Sequence, residues 1–131
     1  MDLDRTPPEI ARSAAEEIRA LNHVTINAKA YETAPAVSEV VSALVNLIER
    51  MPQALQQAGA GLEALHDRDQ IRLAGADSTS RALAEAVANV TVSLDYARND
   101  LESVLRELKA AAGPLDNMGG PWPDSDEGGR V

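Results

Sequence analysis

The sequence predicts an all-α fold: a long antiparallel helical hairpin with a shorter N-terminal helix packed on it, as in a three-helix bundle. Three observations carry the prediction. Apolar residues recur in alternating steps of four and three at Leu83, Val87, Val90, Leu94, Ala97, Leu101, Val104, Leu108, Ala111 and Leu115. A second row with that spacing runs Val37, Val41, Leu44, Ile48, Met51, Leu55, Ala58, Leu62 and Leu65. Each row has the a/d period of a helix packed on a helical partner. Phe is absent and the aromatic residues are Tyr31, Tyr96 and Trp122, so the core must come from Leu, Val, Ile and Ala.

Helix 1 is predicted over residues 7–21. Thr6 is a capping residue, Pro7 suits the first helical position, and Glu9 completes a capping box. Ile10, Ala14, Ile18 and Leu21 form the apolar face, with Glu16, Glu17 and Arg19 opposite. Asn22 tolerates the left-handed conformation of a helix C-terminus, which sets the expected stop. In residues 23–34 Val24, Ile26 and Ala28 alternate with polar residues. One strand without a partner makes no sheet, so this is a loop whose Val24, Ile26 and Tyr31 tack onto the bundle.

Helix 2 is predicted over about 34–66. Pro52 removes a backbone bond and crowds the preceding turn. The apolar row nevertheless crosses it from Ile48 and Met51 to Leu55, which predicts one kinked helix rather than two. Asp77 or Ser78 is the expected cap of helix 3, over about 78–112, and Gly113-Pro114 the expected stop. These elements make residues 1–113 a helical bundle domain. Residues 114–131 form an acidic, Gly- and Pro-rich tail expected to be disordered.

Closing the hairpin near residue 72 pairs Leu62 with Leu83, Leu55 with Val90, Ile48 with Ala97 and Val41 with Val104. Helix 3, at 1.5 Å per residue, is about 52 Å long, whereas helix 1 covers about 24 Å. Helix 1 therefore covers one half of the hairpin and leaves the tip half over. No charged residue occurs from Pro52 to Leu62 or from Ala86 to Leu94. Exposed coiled-coil surfaces normally carry charge. The candidate partner surface is thus Ala54, Ala58, Gly61, Ala86, Val90, Val92 and Leu94, and its simplest use is a two-fold dimer or a helical partner.

Composition excludes several function classes. With no Cys there is no disulfide framework, thiolate nucleophile or Cys-ligated zinc. A net charge of −9, with Lys29 and Lys109 the only lysines, argues against direct nucleic-acid binding. The polar start Met1-Asp2-Leu3-Asp4-Arg5 is no secretory signal, and no uncharged run approaches the roughly 20 residues of a membrane span. A cytoplasmic protein is the expectation, with export lacking a cleavable signal as the alternative.

Few residues suggest chemistry. Asn22, His23, Thr25 and Tyr31 gather polar side chains that a pocket could use, although such groups more often bond local backbone. His66, Asp67 and Asp69 are neighbours on a turn and converge poorly on a metal. Gly59-Ala60-Gly61-Leu62-Glu63-Ala64 has the letters of a dinucleotide fingerprint but follows a helix, not a strand. Tyr96 and Asp100 have the Tyr-x-x-x-Asp spacing seen in helical-hairpin substrates of type VII secretion, yet they stand mid-helix, and no Trp-x-Gly turn lies between the helices. Trp122, between two prolines, is a candidate docking motif because Trp is a common binding anchor. No site for a cofactor, a metal or catalysis emerges.

The segments Arg5-Thr6-Pro7-Pro8-Glu9-Ile10-Ala11, Leu21-Asn22-His23-Val24-Thr25 and Pro52-Gln53-Ala54-Leu55, with Tyr31, Val37, Val40, Val41, Leu44 and Gln57, resemble a group of small uncharacterised actinobacterial proteins. The likeness covers the first half of the chain, and the second half shares only its helical pattern. It implies a helical fold and carries no activity or site residue with it. The function expected is a non-enzymatic helical protein–protein interaction module that self-associates through the hairpin tip. Two alternatives are an exported type VII-like hairpin and a small ligand-binding protein using the His23 and Tyr31 connector.

Overall fold

The computed structural model describes residues 1–75 and 79–119. It is all-helical, with α1 at Pro7–Val24, a 3-10 turn at Ala28–Ala30, α2 at Ala34–Asp67 and α3 at Ser80–Asp116. Two compact units emerge: one holds Met1–Val37 with Met118 and Gly119, the other Ser38–Asn117.

In the first unit, α1 opens as its sequence dictates. The Glu9 carboxylate accepts the Thr6 backbone N–H at 2.7 Å and the Thr6 hydroxyl at 2.9 Å. These bonds hold the Glu9 carboxyl below its ordinary value, the backbone bond contributing most. A lowered carboxyl stabilises the folded state above the usual glutamate range and loses that contribution as pH falls through its own value. Acid titration should therefore fray the first turn of α1. The Thr6 amide resonance should move together with the Glu9 carboxyl, and a Thr6 amide indifferent to that titration would contradict the bond.

The helix ends three residues later than Leu21. The Thr25 hydroxyl donates to the Leu21 carbonyl at 2.7 Å and the Thr25 N–H to the same carbonyl at 3.0 Å, so Thr25, not Asn22, closes it. In the connector Asn27 accepts from the Lys29 N–H at 3.0 Å and starts the 3-10 turn. Val24 and Ile26 are exposed rather than tacked onto a core, whereas Tyr31 is half-buried. The alternation there reflects a capped helix end followed by a turn, not a strand.

In the second unit α2 and α3 pack antiparallel. Thr33, just before α2, accepts from the Ala36 N–H at 3.2 Å. The helix runs unbroken through Pro52. Thr79 caps α3 by accepting from the Ala82 N–H at 3.0 Å; Asp77 and Ser78, the caps expected from sequence, lie outside the described residues. Beyond Ala112, α3 does not stop at Gly113-Pro114 but continues to Asp116. Leu115 is half-buried, Asn117 donates its side-chain amide to the Gly113 carbonyl at 3.3 Å, and Asp116 accepts from the Ser38 hydroxyl at 2.8 Å. Those contacts offset the single backbone bond that Pro114 removes.

The register differs from the pairing of Leu62 with Leu83. A side chain grown on Gly59 would start 3.6 Å from Leu94 Cδ1 and 3.9 Å from Thr91 Cγ2. Lys109 Nζ meets Glu49 at 2.8 Å. That pairing would set residue 59 opposite 86 and residue 49 opposite 96, so these contacts lie five to thirteen residues further along α3 than expected. Rows with a seven-residue period match themselves again after a slip of seven, so pattern alone leaves the register open and the connector decides it. Here that connector contains Ile71 and Leu73, both half-buried.

Facing positions also rotate by one residue. On α2 the less exposed row reads Ile48, Pro52, Leu55, Gly59, Leu62 and His66; on α3 it reads Val87, Thr91, Leu94, Arg98, Leu101, Leu105, Leu108, Ala112 and Leu115. Two consecutive steps of four, at 44–48–52 and at 83–87–91, produce the shift. Thr91 turns its methyl toward Gly59 and donates its hydroxyl to the Ala88 carbonyl at 2.9 Å.

Glycine at 59 and 61 weakens α2 for no steric return. Nothing lies within 4 Å of a Cβ at Gly61, and the 3.6 Å contact at Gly59 is an ordinary one. Gly61→Ala and Gly59→Ala should each stabilise the hairpin by about 1 kcal/mol, read as a higher thermal midpoint. A lower midpoint for Gly59→Ala would mean that the helices approach more tightly than this contact.

Candidate functional site

The hairpin has two unlike sides, and one ion pair distinguishes them. Glu49 belongs to the α2 row Glu49, Gln56, Glu63, and Lys109 to the α3 row Asp95, Glu102, Lys109. Their 2.8 Å contact puts both polar rows on one side of the hairpin. A groove on that side is lined by Gln56, Glu63, Thr91 and Asp95. Arg98 occupies a facing position, and its guanidinium reaches Asp95 at 3.1 Å while its Nε is buried without a partner. Its stem packs inward and its charge emerges on the polar side.

Helical geometry then fixes the opposite side. Two residues on from the polar row of α2 come Met51, Ala58 and Leu65, and the matching row of α3 is Val90, Ala97 and Val104. Met51 is 37% exposed, Leu65 40%, Val90 45% and Val104 43%. These are the sequence-row residues that the rotated interface leaves out. None of the six is charged.

Interior burial is thin. Among the described residues only Val87, at 7% exposure, and Gly59 are buried, and no large side chain is fully enclosed. Two helices alone enclose little, because each facing residue is covered by one opposing helix and keeps water on its flanks.

The sequence-derived candidates fall in different places. Ala54, Ala58, Gly61, Val90 and Val92 are exposed, and Ala86 is half-buried. Leu94 is turned inward, against Gly59, and is occupied within the hairpin. Met51, Leu65 and Val104 are not among these candidates, because they lie outside the uncharged runs from Pro52 to Leu62 and from Ala86 to Leu94. In the first unit Asn22 and His23 line an open depression with Glu16, Arg19 and Ile26. Thr25 and Tyr31 do not contribute to it, and the Thr25 hydroxyl is engaged by Leu21. Tyr96 is exposed on the surface of α3. The Trp122 motif lies outside the described residues.

Among the described residues no three His, Cys, Asp or Glu side chains group as a metal site. No described helix is long and apolar enough to cross a membrane. No protein-family model matches the chain, and searches of curated proteins and of solved structures return no match.

Proposed function

We propose that this protein is a non-enzymatic, cytoplasmic protein–protein interaction module that self-associates through its helical hairpin. One observation carries the reading. Helices of 34 and 37 residues bury only Val87 and Gly59 among the described residues, while Met51, Leu65, Val90, Val92 and Val104 stay exposed. Exposed apolar rows on long helices gain free energy by docking on another helical surface, and a four-helix bundle is the smallest closed arrangement for two hairpins. Composition agrees: charge is absent from Pro52 to Leu62 and from Ala86 to Leu94, within a chain whose net charge is −9.

Sedimentation equilibrium over a concentration series tests this reading. A mass rising from one chain to two supports it. A single-chain mass at the highest concentration would overturn self-association.

A further inference from the structure

We infer that a second copy of this chain docks on the side of the hairpin bearing Met51, Ala58, Leu65, Val90, Ala97 and Val104, rather than on the hairpin tip as a whole. This rests on the self-association proposed above and names its face. Three features point to a second copy as the occupant.

The face is uncharged along both rows, so two chains of net charge −9 can meet there without placing like charges in contact. Its profile is self-complementary. Ala58 stands midway between Met51 and Leu65, and Ala97 midway between Val90 and Val104. Because Gly59 lies against Leu94, the two alanines are nearly level across the hairpin. Small residues at the centre with larger ones on either side suit two helix pairs crossing at that centre. A two-fold axis there brings the alanine pair of one copy onto that of the other.

The area is also sufficient. The two rows continue by one heptad, to Leu44 on α2 and Ala111 on α3, and over that span a face about 31 Å long and about 20 Å wide offers roughly 600 Å² per copy. Two copies then bury about 1,200 Å², the lower bound for a specific stable interface. The polar side, with the Glu49–Lys109 pair, remains in water.

The chain has no Cys, so an introduced one reports unambiguously. Ala58→Cys and Ala97→Cys should form disulfide-linked dimers under mild oxidation, and Gln56→Cys, on the polar side, should not. Val90→Glu should raise the dimer dissociation constant by about a hundredfold, because two carboxylates are then enclosed. Val90 already contacts water, so this variant should keep its helical circular dichroism. Should it lose that signal, the cysteine variants decide. A dimer that resists Val90→Glu, or that cross-links through Gln56→Cys and not Ala58→Cys or Ala97→Cys, would overturn this face while leaving self-association intact. A chain monomeric at every concentration would overturn both.

Discussion

Leu94→Asp should unfold the hairpin. Leu94 is half-buried, with its Cδ1 directed at Gly59, so a carboxylate there lies between α2 and α3. The cation of its own facing row, Arg98, stands one turn on and already engages Asp95 at 3.1 Å. The substitution removes the leucine packing and adds an unpaired charge, costing about 3–5 kcal/mol. Domain stabilities are typically about 5–15 kcal/mol, and a hairpin with so thin an interior belongs at the low end. The expected observation is loss of most helical circular dichroism near neutral pH, partly recovered in acid as the new carboxyl protonates. An unchanged melting midpoint would mean that the facing rows are not those described.

Pro52→Ala acts in the opposite direction with nearly as large an effect. Pro52 sits in the middle of the 34-residue α2, where it leaves the Ile48 carbonyl without its helical donor. Restoring an N–H and removing the ring clash is worth about 3 kcal/mol in a helix interior. Loss of the half-buried ring's contacts offsets part of this, so a net gain of about 2 kcal/mol is expected, seen as a later denaturant midpoint. An earlier midpoint would show that the ring's packing outweighs the missing bond.

The elements themselves were legible from local rules. Thr6 with Glu9, the unbroken row across Pro52 and the steps of four and three lead to three helices with nearly the observed bounds. What escaped were choices made between helices. A seven-residue period cannot distinguish one register from the next, so spacing pairs Leu62 with Leu83 where the contacts lie five to thirteen residues further along α3. It also fits two adjacent rows almost equally well. Val90, Val104, Met51 and Leu65 share their helices with Thr91, Leu105, Pro52 and His66, and choosing the facing set requires the partner's position. For that reason spacing places apolar Met51 in the seam, whereas the facing row takes in the polar Thr91 and Arg98. At Gly113-Pro114 the sequence signal to stop is real, but Leu115, Asp116 and Asn117 find partners that outweigh it. The candidate surface was legible as a region, from its lack of charge, and its orientation appeared only with the Glu49–Lys109 contact.

The sparse interior has a consequence for heat and denaturant. Heat-capacity increments on unfolding come from apolar surface newly given to water, and residues that are already partly wet have less to give. A single chain should therefore show a smaller increment, a weaker response to urea and a broader, flatter stability curve than its length implies. Assembly would steepen all three, since the rows led by Met51 and Val90 then change their hydration along with the fold. Calorimetric sharpness thus becomes a measure of how many copies unfold together.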